Sequence, residues 1–114
     1  KIFINRLKKM EDQILADFAK AWQTLDAELI IKYLDDSSVY DSQWVFESLD
    51  CEAYKKYLRT KFLTMKEKNA GPLVEIVDDP QGGKMLDLDQ KGNTACYRIE
   101  VKDGKVVKAD MCMF

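Results

Sequence analysis

A chain of 114 residues, 46% hydrophobic and 33% charged, is long enough to bury one ordinary core and too apolar to remain disordered, so a single domain over residues 1–114 is expected. Its formal charge of -2 and isoelectric point near 5.2 offer no positive field to hold a phosphate backbone, which argues against nucleic acid as a partner. The apolar runs are only a few residues long, far short of the roughly 20 that cross a bilayer, so no membrane insertion of this chain is expected.

From Phe3 to about Leu25, apolar residues recur as Ile4, Leu7, Met10, Ile14, Phe18, Ala21 or Trp22, and Leu25, a spacing of three and four that predicts a long amphipathic helix. Asp26 is placed to cap a second, short helix, Ala27 to Leu34, which stops at Asp35-Asp36. Ser37 to Leu49 holds Val39, Tyr40, Trp44, Val45 and Phe46, all strand formers, and reads as a strand kinked around Asp41 to Gln43. Asp50 then caps a third helix, Cys51 to Lys68. Its apolar side is Tyr54, Tyr57, Leu58, Phe62 and Met65, and it ends at Asn69-Ala70-Gly71-Pro72.

Four strands follow, separated by turn chemistry: Leu73 to Val77, Lys84 to Asp89, Thr94 to Lys102, and Lys105 to Phe114. Helices first and an antiparallel meander afterwards predict an α+β domain, with the helices on one face of a curved sheet. In the last hairpin, a register with one extra residue at Gly104 pairs Val101 with Val107, Ile99 with Ala109 and Tyr97 with Met111. It also sets Glu100 against Lys108, Arg98 against Asp110 and Cys96 against Cys112, so charged and apolar pairs fall on separate faces.

The chain has no histidine, which removes Ser-His and Cys-His nucleophile systems and the commonest zinc ligand. Proton transfer falls to carboxylates, lysine, tyrosine or cysteine, and no metal is expected. The glycines are placed as turn breakers, none in a phosphate-binding loop, so no cofactor is expected. Cys51, Cys96 and Cys112 make an odd count without a close pair, which suits a reduced cytoplasmic chain better than a disulfide framework. Lys1 is not a Met, which leaves an upstream signal or anchor open.

A long helix, a short helix ending in Tyr33-Leu34-Asp35-Asp36, a strand opening with Val39-Tyr40-Asp41, a third helix and a strand meander closed by Val101 to Met111 resemble the nuclear transport factor 2-like superfamily. That superfamily includes ketosteroid isomerases, polyketide cyclases and scytalone dehydratases. The resemblance runs from Ile14 to Met113 and implies a cone: three helices packed on a strongly curved, mainly antiparallel sheet around a central pocket. It also implies a homodimer through the outer sheet face, where Tyr40, Cys96, Cys112 and Phe114 are expected. In ketosteroid isomerases the acid at the Asp41 position is the general base. The oxyanion tyrosine of those enzymes falls near Asp17 or Phe18 and their protonated acid near Cys96 or Tyr97, so their oxyanion hole is not matched.

Asp41 shares strand parity with Val39; if Val39 faces inward, the carboxylate lines the pocket as a binding group or a catalytic base, and otherwise it is a bend or edge residue. Lys61 falls inside the apolar stripe of the third helix, where it either snorkels past the helix edge or reaches into the cone toward Asp41 or an anionic ligand. Phe18, Trp22, Trp44, Tyr57, Tyr97 and Met111 complete the expected ligand-binding set, and Cys51 is read as structural. Lys55, Arg59 and Lys66 are read as a solvated basic stripe. The function expected first is binding of a small, partly apolar molecule in the cone. Two alternatives stand beside it: a cofactor-independent isomerase, cyclase or dehydratase using Asp41, and a protein-interaction module.

Overall fold

The computed structural model describes residues 2–42 and 47–113, with side chains for 6, 8–42 and 47–112. Helix α1 runs over Ile2–Thr24, α2 over Glu28–Ile31 and α3 over Cys51–Glu67. The strands are β1 (Leu34–Ser42), β2 (Leu49–Asp50), β3 (Leu73–Asp78), β4 (Lys84–Gln90), β5 (Asn93–Lys102) and β6 (Lys105–Met113).

Each helix has a local reason for its bounds. The apolar stripe of α1 buries Ile14, Phe18 and Trp22, and the helix stops where Leu25 takes a positive φ of 57°. Asp26 accepts a hydrogen bond from the Glu28 backbone N–H at 3.1 Å, as a residue opening α2 should. That helix is shorter than the sequence suggests, because the Val106 N–H bonds the Tyr33 carbonyl at 2.9 Å and draws the chain into the sheet before Leu34. Asp50 caps α3 by accepting from the Ala53 N–H at 2.8 Å. Arg59 on α3 reaches back to Glu28 at 2.8 Å, tying the basic stripe to α2.

The six strands form one curved sheet in the order β2-β1-β6-β5-β4-β3, antiparallel throughout except for the parallel pair β1 and β6. Helices cover the inner face. The core between them contains Phe18, Ile30, Leu58, Phe62, Leu86, Tyr97 and Val106, each almost wholly buried. The expected α+β cone is therefore the observed architecture.

Two register details correct the sequence reading. Asp103 (φ 52°) and Gly104 (φ 77°) form a tight two-residue turn, so Lys102 pairs with Lys105 and Val101 with Val106 rather than with Val107. The extra residue is Val107, one step further along β6. Beyond it the pairs Glu100–Lys108, Ile99–Ala109, Arg98–Asp110, Tyr97–Met111 and Cys96–Cys112 are those expected. A bulge at Val107 keeps Val106 in the core and still turns Lys108 and Asp110 outward.

The second correction concerns β1. Between Leu34, which pairs with Val106, and Val39, which pairs with Lys108, β1 has more residues than β6 and buckles. After the buckle, Tyr40 faces the core at 1% exposure while Val39 is 38% exposed. Tyr40 is thus an inner-face residue, not an outer-face one, and Asp41 shares the outer face with Val39. Phe114 and Trp44 lie outside the described residues.

Candidate functional site

Inside the cone, α1, α3 and the inner face of β4 to β6 enclose an open cavity of about 410 Å³. Trp22 comes from α1, Lys61 and Met65 from α3, and Pro72 from the segment after it; Leu88, Gln90, Asn93, Ala95 and Met111 come from the three strands. Strand alternation explains the sheet side of the wall. Leu88 pairs with Ala95, and Met111 pairs with Tyr97, the next inward-facing residue of β5, so Leu88, Ala95 and Met111 share the inner face. Small Ala95 leaves the room that a larger side chain would fill. The Gln90 amide donates to the Ala70 carbonyl.

Lys61 sits one turn before Met65 on the same face of α3, which is why a charge interrupts that apolar stripe. Its ammonium lies 5.6 Å from the centre of the Tyr57 ring, a cation–π contact, and it makes no ion pair among the described residues. No Asp or Glu lines the cavity among the described residues. Trp22 is 2% exposed and its indole N–H has no hydrogen-bond acceptor among them. The indole ring is fixed by edge contacts with Phe62 at 4.7 Å and Tyr97 at 5.8 Å between centroids.

Beside this cavity lies a tyrosine cluster. Tyr40 stacks on Tyr54 at 4.2 Å, and Tyr57 packs 5.7 Å from Tyr40. The hydroxyls of Tyr54 and Tyr97 are hydrogen-bonded to each other, and that of Tyr40 bonds to Ser42 and Tyr57. Burial pushes the phenols of Tyr40, Tyr54 and Tyr97 well above their ordinary range, so they are neutral hydrogen-bonding groups at any physiological pH. Near α1, the hydrogen bond to Asp17 and burial push Tyr33 up to about 12.

The outer face has different chemistry. Asp41 accepts a hydrogen bond from the Ser48 hydroxyl and lies in register with Asp110 of β6. Burial raises the Asp110 carboxyl, with Asp41 and Asp79 adding to the effect while Lys108 and Arg98 oppose it. Arg98 holds Asp79 through two bonds, at 2.6 and 3.1 Å, and these bonds lower the Asp79 carboxyl.

Of the residues expected from sequence to bind a ligand, the structure brings Trp22, Lys61 and Met111 together on the cavity wall. Tyr57 stands beside Lys61, whereas Phe18 and Tyr97 are fully buried in the core behind the wall. Asp41 is on the other side of the sheet and forms no ion pair with Lys61. Met65 was legible only on the apolar side of α3, and Leu88 and Ala95 only as positions within predicted strands. Gln90 and Asn93 flank the β4–β5 turn, and nothing in their local sequence marks them as pocket groups.

No family model matches this chain, and no curated protein matches it in sequence. Solved structures do. A SnoaL-like protein of unknown function from Burkholderia thailandensis superposes with a TM-score of 0.72 at 19% identity, over 93% of this chain and 95% of that one. An NTF2-like protein of unknown function from Cytophaga hutchinsonii gives 0.62 at 11% identity over 89% and 87%. An LEH-like epoxide hydrolase of M. tuberculosis gives 0.60 at 19% identity over 90% and 80%. A six-stranded sheet curved around three helices, with these neighbours, has the nuclear transport factor 2-like fold that the sequence resembles.

Proposed function

We propose that this chain binds a small, partly apolar molecule in the cavity between α1, α3 and the inner face of β4 to β6. One observation carries the reading: an apolar wall of Trp22, Met65, Pro72, Leu88, Ala95 and Met111 encloses about 410 Å³ and carries a few polar groups, Lys61, Gln90 and Asn93. Ligand sites combine concavity, apolar lining and sparse polar heads in this way, and volumes of roughly 300–1,000 Å³ are usual for them. Proton-transfer chemistry would need a carboxylate or another base against the ligand. The wall has no carboxylate among the described residues, and Asp41 faces away, which supports binding over an Asp41-dependent reaction.

Native mass spectrometry of the purified protein tests this, first alone and then with 2-naphthylmethanol as a neutral apolar probe. The expected result is one retained molecule per chain, or a saturable one-to-one complex with the probe. Only the bare chain, with at most unsaturable multiple adducts, would contradict it.

A further inference from the structure

We infer that the molecule taken up by this cavity is a monocarboxylate: an apolar body seated on Met65, Leu88 and Met111 with its carboxylate at Lys61. This rests on the cavity being a binding site and adds its chemical class. Lys61 is the only charged side chain on the wall among the described residues, and it makes no ion pair among them. An ammonium half withdrawn from water beside apolar surface and a π-face gains most from an anion that displaces the remaining water. A cationic ligand would meet Lys61 with repulsion and find no carboxylate to answer it.

A second observation points the same way. Trp22 lines the same cavity, and its indole N–H, a buried donor that solvent does not reach, has no acceptor among the described residues. Buried donors are nearly always satisfied, and a small turn of the indole toward the cavity would let an acceptor oxygen of the ligand satisfy this one. One ammonium and one indole N–H suit a singly charged carboxylate with its two oxygens. A phosphate monoester, carrying about 1.5 to 2 negative charges and three acceptor oxygens, characteristically collects arginine or several cations, and the wall provides one lysine.

Four probes of equal apolar body separate these possibilities by isothermal titration calorimetry: 2-naphthoate, 2-naphthylmethanol, 2-naphthylmethylammonium and 2-naphthyl phosphate. The expected order places 2-naphthoate first, about tenfold or more tighter than the alcohol, the scale of one charge-assisted hydrogen bond. Lys61→Met should erase that preference, and Lys61→Arg should keep most of it. In proton–nitrogen NMR spectra, with the signal assigned through Trp22→Phe, the indole N–H of Trp22 should move downfield with 2-naphthoate and much less with the alcohol. Equal affinity for acid and alcohol, or tighter binding of the ammonium or phosphate, would overturn the carboxylate assignment and leave the cavity reading standing. Binding of none of the four would overturn both.

Discussion

Asp41 and Asp110 stand side by side on the outer face of the cone, in register on the two parallel strands of the sheet. Burial raises the Asp110 carboxyl, and the neighbouring Asp41 charge adds to that shift. A carboxyl whose pKa is higher in the folded than in the unfolded chain takes up a proton on folding. It therefore favours the folded state at low pH, and that contribution is lost as pH rises through the folded value. Asp110→Asn should accordingly be at least as stable as the parent at pH 7. Its advantage should shrink as pH falls toward the ordinary carboxylate range. Thermal unfolding of both proteins between pH 4 and 7 measures this, and an Asn variant markedly less stable at pH 7 would contradict it.

Arg98 and Asp79 make the opposite contribution on the same face. The two bonds lower the Asp79 carboxyl, so their stabilisation is present above the ordinary carboxylate value and lost as pH falls through the lower, folded one. Arg98→Met should thus destabilise the protein at pH 7 and progressively less in strong acid, which thermal unfolding of both proteins extended well below pH 4 reads.

The buried pair Tyr54 and Tyr97 tests the inner face. Tyr54→Phe leaves the Tyr97 hydroxyl without that partner in a fully buried site, at a cost of about 1–3 kcal/mol. Replacing both tyrosines by phenylalanine should cost less than the sum of the single changes. A double-mutant cycle by urea unfolding measures the coupling. Additive losses would mean that the two hydroxyls do not depend on each other.

Two local devices have definite magnitudes. Asp50→Ala removes the side chain that caps α3 and should cost about 1 kcal/mol. Gly104→Ala forces a Cβ onto a residue at φ 77° and brings it within 3.1 Å of the Met10 sulfur, so a loss of about 1–2 kcal/mol is expected. Both are read from chemical denaturation midpoints.

The helices and the last four strands were legible because each signal is local: spacing of three and four for α1 and α3, Asp50 before α3, and glycine or aspartate at the turns. Even the pairing of Arg98 with Asp110 followed from separating charges from apolar residues. What escaped was parity in β1 and the position of the bulge in β6. An odd number of extra residues reverses which side chains face the core, so Tyr40 and Asp41 exchange faces without any change in composition. The buckle before Val39 and the bulge at Val107 both answer to the neighbouring strand, which a reading of either segment alone does not contain.

The site was legible to a similar depth. Lys61 stood out because a charge interrupts an apolar helical stripe, and Trp22 and Met111 because they are large residues at core spacing. Gln90 and Asn93 did not, since polar residues beside a turn are ordinary and only the curvature of the sheet brings them to the cavity. Phe18 and Tyr97 failed for the opposite reason: the same aromatic pattern serves a filled core as well as a pocket.

The most direct test of the cavity as a binding site is methyl NMR of Met65 and Met111 during titration with 2-naphthylmethanol, in the parent protein and in Ala95→Phe. The substituted ring fills the space beside Leu88 and Met111 and leaves the outer face untouched. The expected result is saturable shifts at both methionine methyls in the parent and their loss in the folded variant. Shifts scattered over the surface, or a titration unchanged by Ala95→Phe, would contradict a ligand site inside the cone.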